Sequence, residues 1–228
     1  MGKRVLVIGD LHLPVAHPKY LKFCKDLYNE YECNKVVFIG DVLDWHGISF
    51  HVKHPECPGP RDEYRMALKH IKKWYKVFPK AFVCIGNHDE RPTRLAEPQG
   101  IPAEFLKSYR EIWKTPGWTW DFDSIIDKVY YFHGTGRGGV HPAFNVMKDM
   151  AKSVVMGHIH TAAGVKWGAD PDNRRFAMDV GCGIDVRGFQ FAYGKHIKKR
   201  PVLAAGVVLS GIPYHEVMPI GPGERYHR

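Results

Sequence analysis

The sequence predicts an α/β protein, because buried-strand signals and amphipathic helix signals alternate along it. One construction recurs four times: an apolar run rich in β-branched residues, then Gly, then a polar residue able to bind a metal. The runs are Val5-Leu6-Val7-Ile8-Gly9-Asp10, Val36-Val37-Phe38-Ile39-Gly40-Asp41, Phe82-Val83-Cys84-Ile85-Gly86-Asn87 and Val154-Val155-Met156-Gly157-His158. Continuous apolar runs of about four to eight residues suit strands buried on both faces. The Gly lets the chain turn sharply and approach a ligand closely. Between the runs lie helix-like stretches, Lys19 to Tyr31 and Asp62 to Val77, the second with Tyr64, Leu68, Ile71 and Tyr75 at three-to-four spacing. The order is therefore β-α-β-α-β, and open α/β sheets bind ligands beyond the carboxyl ends of their strands, where the four polar residues fall.

The remaining elements follow in turn. A long segment from Glu90 to Trp120 is expected to hold a helix from Ala103 to Trp113. A strand follows at Val129-Tyr130-Tyr131-Phe132, ending in His133 and a Gly-rich loop to Gly139. The C-terminal third reads as strands at Phe176 to Val180, Val202 to Leu209 and near Tyr214 to Met218. The loops Phe50 to Arg61 and Asp170 to Arg174 are polar or rich in Pro and Gly and are expected to be exposed. Asp89 is expected to cap the helix of the next segment. His46, His51, His54 and His70 read as surface or loop histidines.

With 228 residues the chain can bury a sizeable core, and one domain spanning residues 1–228 is the expected organisation. Hydrophobic residues at 44% and charged residues at 25% exclude disordered and collagen-like classes. The run after Met1-Gly2-Lys3-Arg4 is too brief for a signal-peptide core. Val202 to Leu209 is far shorter than the roughly 20 residues of a membrane helix, so no membrane partner is expected. Five cysteines form no C-x-x-C pair, and an odd number argues against a complete disulfide framework; a reducing cytoplasm is the expected location. Lys and Arg number 33 against 24 acidic residues, a formal charge of +9. Such an excess either attracts polyanions or simply keeps the chain soluble. Lys69, Lys72, Lys73 and Lys76, and the run His196 to Arg200, read as solvated faces in preference to nucleic-acid contacts.

The candidate metal ligands are Asp10 and His12 from G-D-L-H, Asp41 from G-D-V-L-D, Asn87 from G-N-H-D, His133 from F-H-G, and His158 and His160 from G-H-I-H. Members of the pairs Asp10/His12 and His158/His160 stand two apart at strand ends, so both side chains of a pair can point to one side. Seven oxygen and nitrogen ligands without sulfur exceed what one ion needs, and suffice for two if a carboxylate bridges them.

In these motifs and their order, across residues 5–160, the chain resembles the calcineurin-like metallophosphoesterases. The resemblance implies two packed mixed β-sheets flanked by helices, with the metal site at the carboxyl ends of strands. It further implies that Asp10, His12, Asp41 and His160 hold one divalent metal and that Asp41, Asn87, His133 and His158 hold the other. His88 would contact the substrate phosphate and protonate the leaving oxygen, with Asp44 orienting its imidazole. Two cations roughly 4 Å apart lower the pKa of a bound water from about 16 towards 7, giving hydroxide that attacks phosphorus in line. A positioned histidine adds about 10²- to 10⁴-fold by protonating the leaving group. Manganese leads the candidate ions, with iron, zinc, nickel and magnesium as further options.

Asn87, His88 and Arg137 are the expected substrate contacts. Arg137 sits in His133-Gly134-Thr135-Gly136-Arg137-Gly138-Gly139, whose amides can cradle an anion but which lacks the G-K-[ST] ending of a nucleotide loop. Protein serine/threonine phosphatases of this superfamily carry Arg directly after the second Asp of G-D-x-x-D, where this chain has Trp45. The expected activity is hydrolysis of a phosphodiester, in nucleic acid as a nuclease or in a nucleotide. A phosphomonoesterase of the same fold, or a scaffold without turnover, is the alternative.

Overall fold

The computed structural model describes residues 2–50, 57–185 and 200–220. The chain opens with β1 (Arg4–Ile8), α1 (Tyr20–Glu30), β2 (Lys35–Phe38), α2 (Pro60–Val77) and β3 (Ala81–Cys84), the expected β-α-β-α-β order. There follow α3 (Arg91–Ala96), α4 (Tyr109–Trp113), β4 (Trp118–Asp121), β5 (Asp123–Ile126), β6 (Val129–Phe132), α5 (Pro142–Met150) and β7 (Ser153–Met156). The chain continues through β8 (Ala163–Ala169), β9 (Arg174–Val180), β10 (Ala204–Leu209) and β11 (Ile212–Val217).

These strands form two mixed sheets. The first has the order β11-β10-β1-β2-β3-β4; β1 to β4 are parallel, and β10 and β11 join as an antiparallel pair. The second has the order β5-β6-β7-β9-β8, with β6, β7 and β9 parallel and an antiparallel strand at each edge.

Successive strand side chains point to opposite faces, and this alternation builds the layers. In β1, Leu6 and Ile8 pack with Phe38 on β2 and with Tyr20, Leu27, Ile71 and Trp74 of the helices. Val5 and Val7 face the other way, into a core shared with Val37, Tyr131, Val155, Phe176 and Met178, between the sheets. A third cluster joins Val146 and Met147 of α5 to Val154, Met156 and Ala177. The result is helices, sheet, sheet, helix. Each fully buried aliphatic or aromatic side chain contributes roughly 1.5–3 kcal/mol, so the strand ends that carry the polar residues are held by a rigid, close-packed scaffold.

Several expectations require correction. The helix expected from Ala103 to Trp113 is broken: a single 3-10 turn spans Ala103–Phe105, Leu106 is extended, and Ser108 restarts the chain as α4. Ser108 and Glu111 form a capping box, which satisfies free amide groups at a new helix start and so ends the preceding turn. His46 is buried, not on the surface, because its amide and that of Gly47 donate to Glu63 of α2. Half-buried His70 lies on α2, while His51 and His54 lie outside the described residues. The loop 170–174 is exposed, as are Lys69, Lys72, Lys73 and Lys76; most of the run His196 to Arg200 lies outside the described residues. Among the described residues no helix is long and apolar enough to cross a membrane, and the cysteines are free.

The seating of α5 has a measurable consequence. Asp179 on β9 accepts a hydrogen bond from the Ala143 amide at the start of α5, and burial pushes its carboxyl up to about 6. The native state therefore binds more protons than the unfolded chain between about pH 4 and pH 6, so this residue's contribution to stability declines through that window as pH rises. Asp179→Asn, which keeps an acceptor for the amide, is expected to remove that decline and to gain roughly 1–3 kcal/mol relative to the wild type between pH 4.5 and pH 8. Urea unfolding of both proteins at the two pH values measures it. Parallel pH profiles would show that the carboxyl is ionised without penalty.

Candidate metal centre

β1, β2 and β3 of one sheet and β6 and β7 of the other end at the same place, and the proposed ligands follow those ends directly. Close approach depends on the glycines. A Cβ on Gly86 would stand 2.2 Å from Asp41 Oδ1, and one on Gly157 would stand 2.2 Å from Asp10 Oδ1. Larger residues at either position would push one strand end off another. His12, Asp41, Trp45 and His158 all adopt left-handed backbone (φ 47°, 45°, 50° and 68°), a conformation costing of order 1–3 kcal/mol at a residue with a side chain. The packed strands hold these residues there.

Three groups of side chains result among the described residues: His12, Asp44 and His88 form one, and the other two share Asp41. Asp10, His12, Asp41 and His160 present ligand atoms within 4.8 Å of one another, and so do Asp41, His133 and His158. Asp41 belongs to both. In the first group His160 Nε2 lies 3.1 Å from Asp10 Oδ2 and 3.2 Å from His12 Nε2, which is 3.5 Å from Asp41 Oδ2. In the second, His133 Nε2 lies 3.2 Å from Asp41 Oδ2, from Asn87 Oδ1 and from His158 Nδ1. All seven residues are thus brought together. Asp10, His12, Asp41 and His133 form a buried floor, whereas Asn87, His88, His158 and His160 are half-buried and make an open rim.

The arrangement fits cations on three counts. Asp10 Oδ1 is buried with no hydrogen-bond partner among the described residues, although buried polar atoms are ordinarily paired. His12 Nδ1 donates to Asp44 Oδ1 (2.8 Å) and His133 Nδ1 donates to the Ile39 carbonyl (3.1 Å), so in each neutral ring the Nε2 lone pair turns into the cluster. Finally, burial opposes charge at His133, yet Asp41 and Asp10 push its imidazole up to about 10. The carboxylates present negative charge that a proton or a metal ion has to compensate.

Beyond this floor stands His88. Its amide donates to Asp41 Oδ1 (2.8 Å), its Nδ1 donates to the Asp44 carbonyl (2.8 Å), and Asp44 Oδ1 lies 3.2 Å from the same nitrogen. Asp44 therefore orients two imidazoles, with the shorter carboxylate bond going to His12. Both histidines, against the opposing effect of burial, hold the Asp44 carboxyl far below the ordinary range.

Asp89 caps no helix. It is fully buried and accepts from the amides of Leu43 (3.1 Å), Gly86 (3.0 Å) and Val42 (3.4 Å), tying the Asp41 loop to the Asn87 loop. Glu63 in turn anchors the turn after Asp44. Neither role is legible in sequence, since each joins segments distant along the chain. Arg137 is exposed and pairs with Asp149 at 3.5 Å, outside both groups. Arg91, which sequence reasoning passed over, is buried beside His88; its only sequence signal is its place four residues after Asn87. A cavity of about 360 Å³ adjoins this region, lined in part by Trp45, Leu106, Lys107, Tyr109 and Trp113.

The sequence model of the calcineurin-like phosphoesterase family matches residues 3–188. The Gene 54 protein of Mycobacterium phage D29 is 27% identical over 226 residues, covering 85% of this chain and 84% of that protein. The Gene 54 protein of Mycobacterium phage L5 is 28% identical over 185 residues, 70% of each. Among solved structures, vacuolar protein sorting 29 of Cryptosporidium parvum aligns with 97% of this chain and 94% of its own at 13% identity and a TM-score of 0.49. YfcE, a phosphoesterase from E. coli, aligns with 90% and 87% at 15% identity and a TM-score of 0.46.

Proposed function

Since the chain belongs to the calcineurin-like phosphoesterase family, we propose that it hydrolyses a phosphodiester, in nucleic acid or a nucleotide, with two divalent cations and His88 as general acid. One observation carries the reading: two groups of ligand atoms share Asp41, and His88, whose amide binds that same carboxylate, stands at their open rim. Asp10, His12, Asp41 and His160 would hold one cation, and Asp41, Asn87, His133 and His158 the other. When bound, such cations neutralise phosphate charge and make hydroxide available from water at neutral pH, with manganese the first ion to try.

The chain's own residues supply the rest. Asp44 fixes the His12 ring through Nδ1 and leaves Nε2 as the ligand atom. The Asp44 carbonyl fixes His88 in the same way, so only Nε2 of that ring can reach a substrate. With a proton on Nε2, His88 gives it to the leaving oxygen, which would otherwise depart as an alkoxide. The cavity beside Trp45 and Trp113 has room for a planar leaving group, and aromatic walls stack on nucleobases. The formal charge of +9 favours a polyanionic substrate.

The protein supplied with Mn²⁺ is expected to hydrolyse bis-p-nitrophenyl phosphate faster than p-nitrophenyl phosphate. A rate higher for the monoester would replace this reading with a phosphomonoesterase. Cyclic nucleotides, RNA, and single- and double-stranded DNA would then identify the class of diester.

A further inference from the structure

We propose that Arg91 binds the substrate phosphate, holding one of its non-bridging oxygens next to His88; the proposal rests on the phosphoesterase reading above. Arg91 opens α3 and is only 7% exposed. Charged side chains are seldom buried this far unless their donors are engaged. Its Nη1 donates to the backbone carbonyls of Asp44 (2.6 Å) and Trp45 (3.1 Å), while its Nη2 lies 3.1 Å from His88 Nε2. The two carbonyls fix the plane of the guanidinium, and that plane aims Nη2 at the single ring nitrogen through which His88 can meet a substrate. The left-handed backbone at Trp45 belongs to the same turn whose carbonyls accept from Arg91.

A guanidinium has donors and no acceptor. Nη2 and His88 Nε2 stand 3.1 Å apart, so an acceptor oxygen that meets one of them lies within reach of the other. An anionic phosphate oxygen is such an acceptor, and charge-assisted bonds from Arg to phosphate are among the stronger hydrogen bonds in proteins. Because the guanidinium is already oriented, little ordering is lost when phosphate arrives. The ligand class is a phosphate group with at least one charged non-bridging oxygen, held between Arg91, His88 and the metal centre.

The test uses the Mn²⁺-loaded protein, with inorganic phosphate binding measured by calorimetry and KM measured on bis-p-nitrophenyl phosphate. Arg91→Met is expected to weaken phosphate binding about 10- to 100-fold and to raise KM in parallel, with metal content unchanged. Arg91→Gln, which keeps donors for the Asp44 and Trp45 carbonyls and lacks the charge, carries the same expectation and serves if Arg91→Met does not fold. A residue that merely braces the turn would be rescued by Gln. Phosphate affinity within twofold of wild type in folded Arg91→Gln, with turnover intact, overturns the role of Arg91 alone. Wild-type protein that loads Mn²⁺ but neither binds phosphate nor hydrolyses either ester overturns the phosphoesterase reading and this proposal together.

Discussion

Asp41→Asn is expected to lose metal and to lower turnover by about 10³-fold or more, because one carboxylate serves both groups of ligands. Its Oδ2 lies 3.2 Å from His133 Nε2 and 3.5 Å from His12 Nε2, while Oδ1 accepts the His88 amide. An amide keeps the shape and one acceptor oxygen but supplies no charge and cannot bridge two cations through its nitrogen. A cation contributes several kcal/mol of transition-state stabilisation, and each 1.36 kcal/mol is tenfold in rate. Metal analysis after dialysis against low Mn²⁺, beside circular dichroism, separates loss of the centre from unfolding. Wild-type stoichiometry with wild-type rate in this variant would end the case for a shared carboxylate.

Removal of the His88 imidazole has a different signature. His88→Ala is expected to retain metal, since the seven proposed ligands remain, and to lose about 10²- to 10⁴-fold in kcat on substrates with an alkoxide leaving group. The loss should be smaller with nitrophenyl esters, because nitrophenolate departs with less need of a proton. Comparing a dinucleotide with bis-p-nitrophenyl phosphate on one preparation measures the difference. An equal loss on both would assign His88 to phosphate binding instead of proton donation, and full activity would remove it from the chemistry.

Much of the fold was legible in the chain because local signals and tertiary packing agree there. Val5 to Ile8, Val36 to Ile39 and Phe82 to Ile85 are apolar on both faces, and the structure buries both faces, one against helices and one against the second sheet. Strands β4, β5 and β8 escaped sequence reading for the opposite reason. Each holds a sheet edge, leaves part of its length in solvent, as at Thr119, Asp123, Ile125 and Trp167, and takes its register from a partner strand. Helix α5 was missed as well. Its N-terminal turn follows a Gly-rich loop, and its inner face is defined by packing against Val154 and Met156 of β7 and Ala177 of β9.

The candidate site divides in the same way. The residue types able to grip cations, their spacing at strand ends and the glycines before them are properties of the sequence, because short-range sterics and side-chain chemistry are written into consecutive residues. Which oxygen is left without a donor, that Asp44 turns two imidazoles and not one, that Asp89 ties loops together in place of capping a helix, and that a buried guanidinium stands at His88 were decided by tertiary structure alone. The reason is physical: these are hydrogen bonds between groups up to 47 positions apart along the chain, and their partners are chosen by the packing of two sheets.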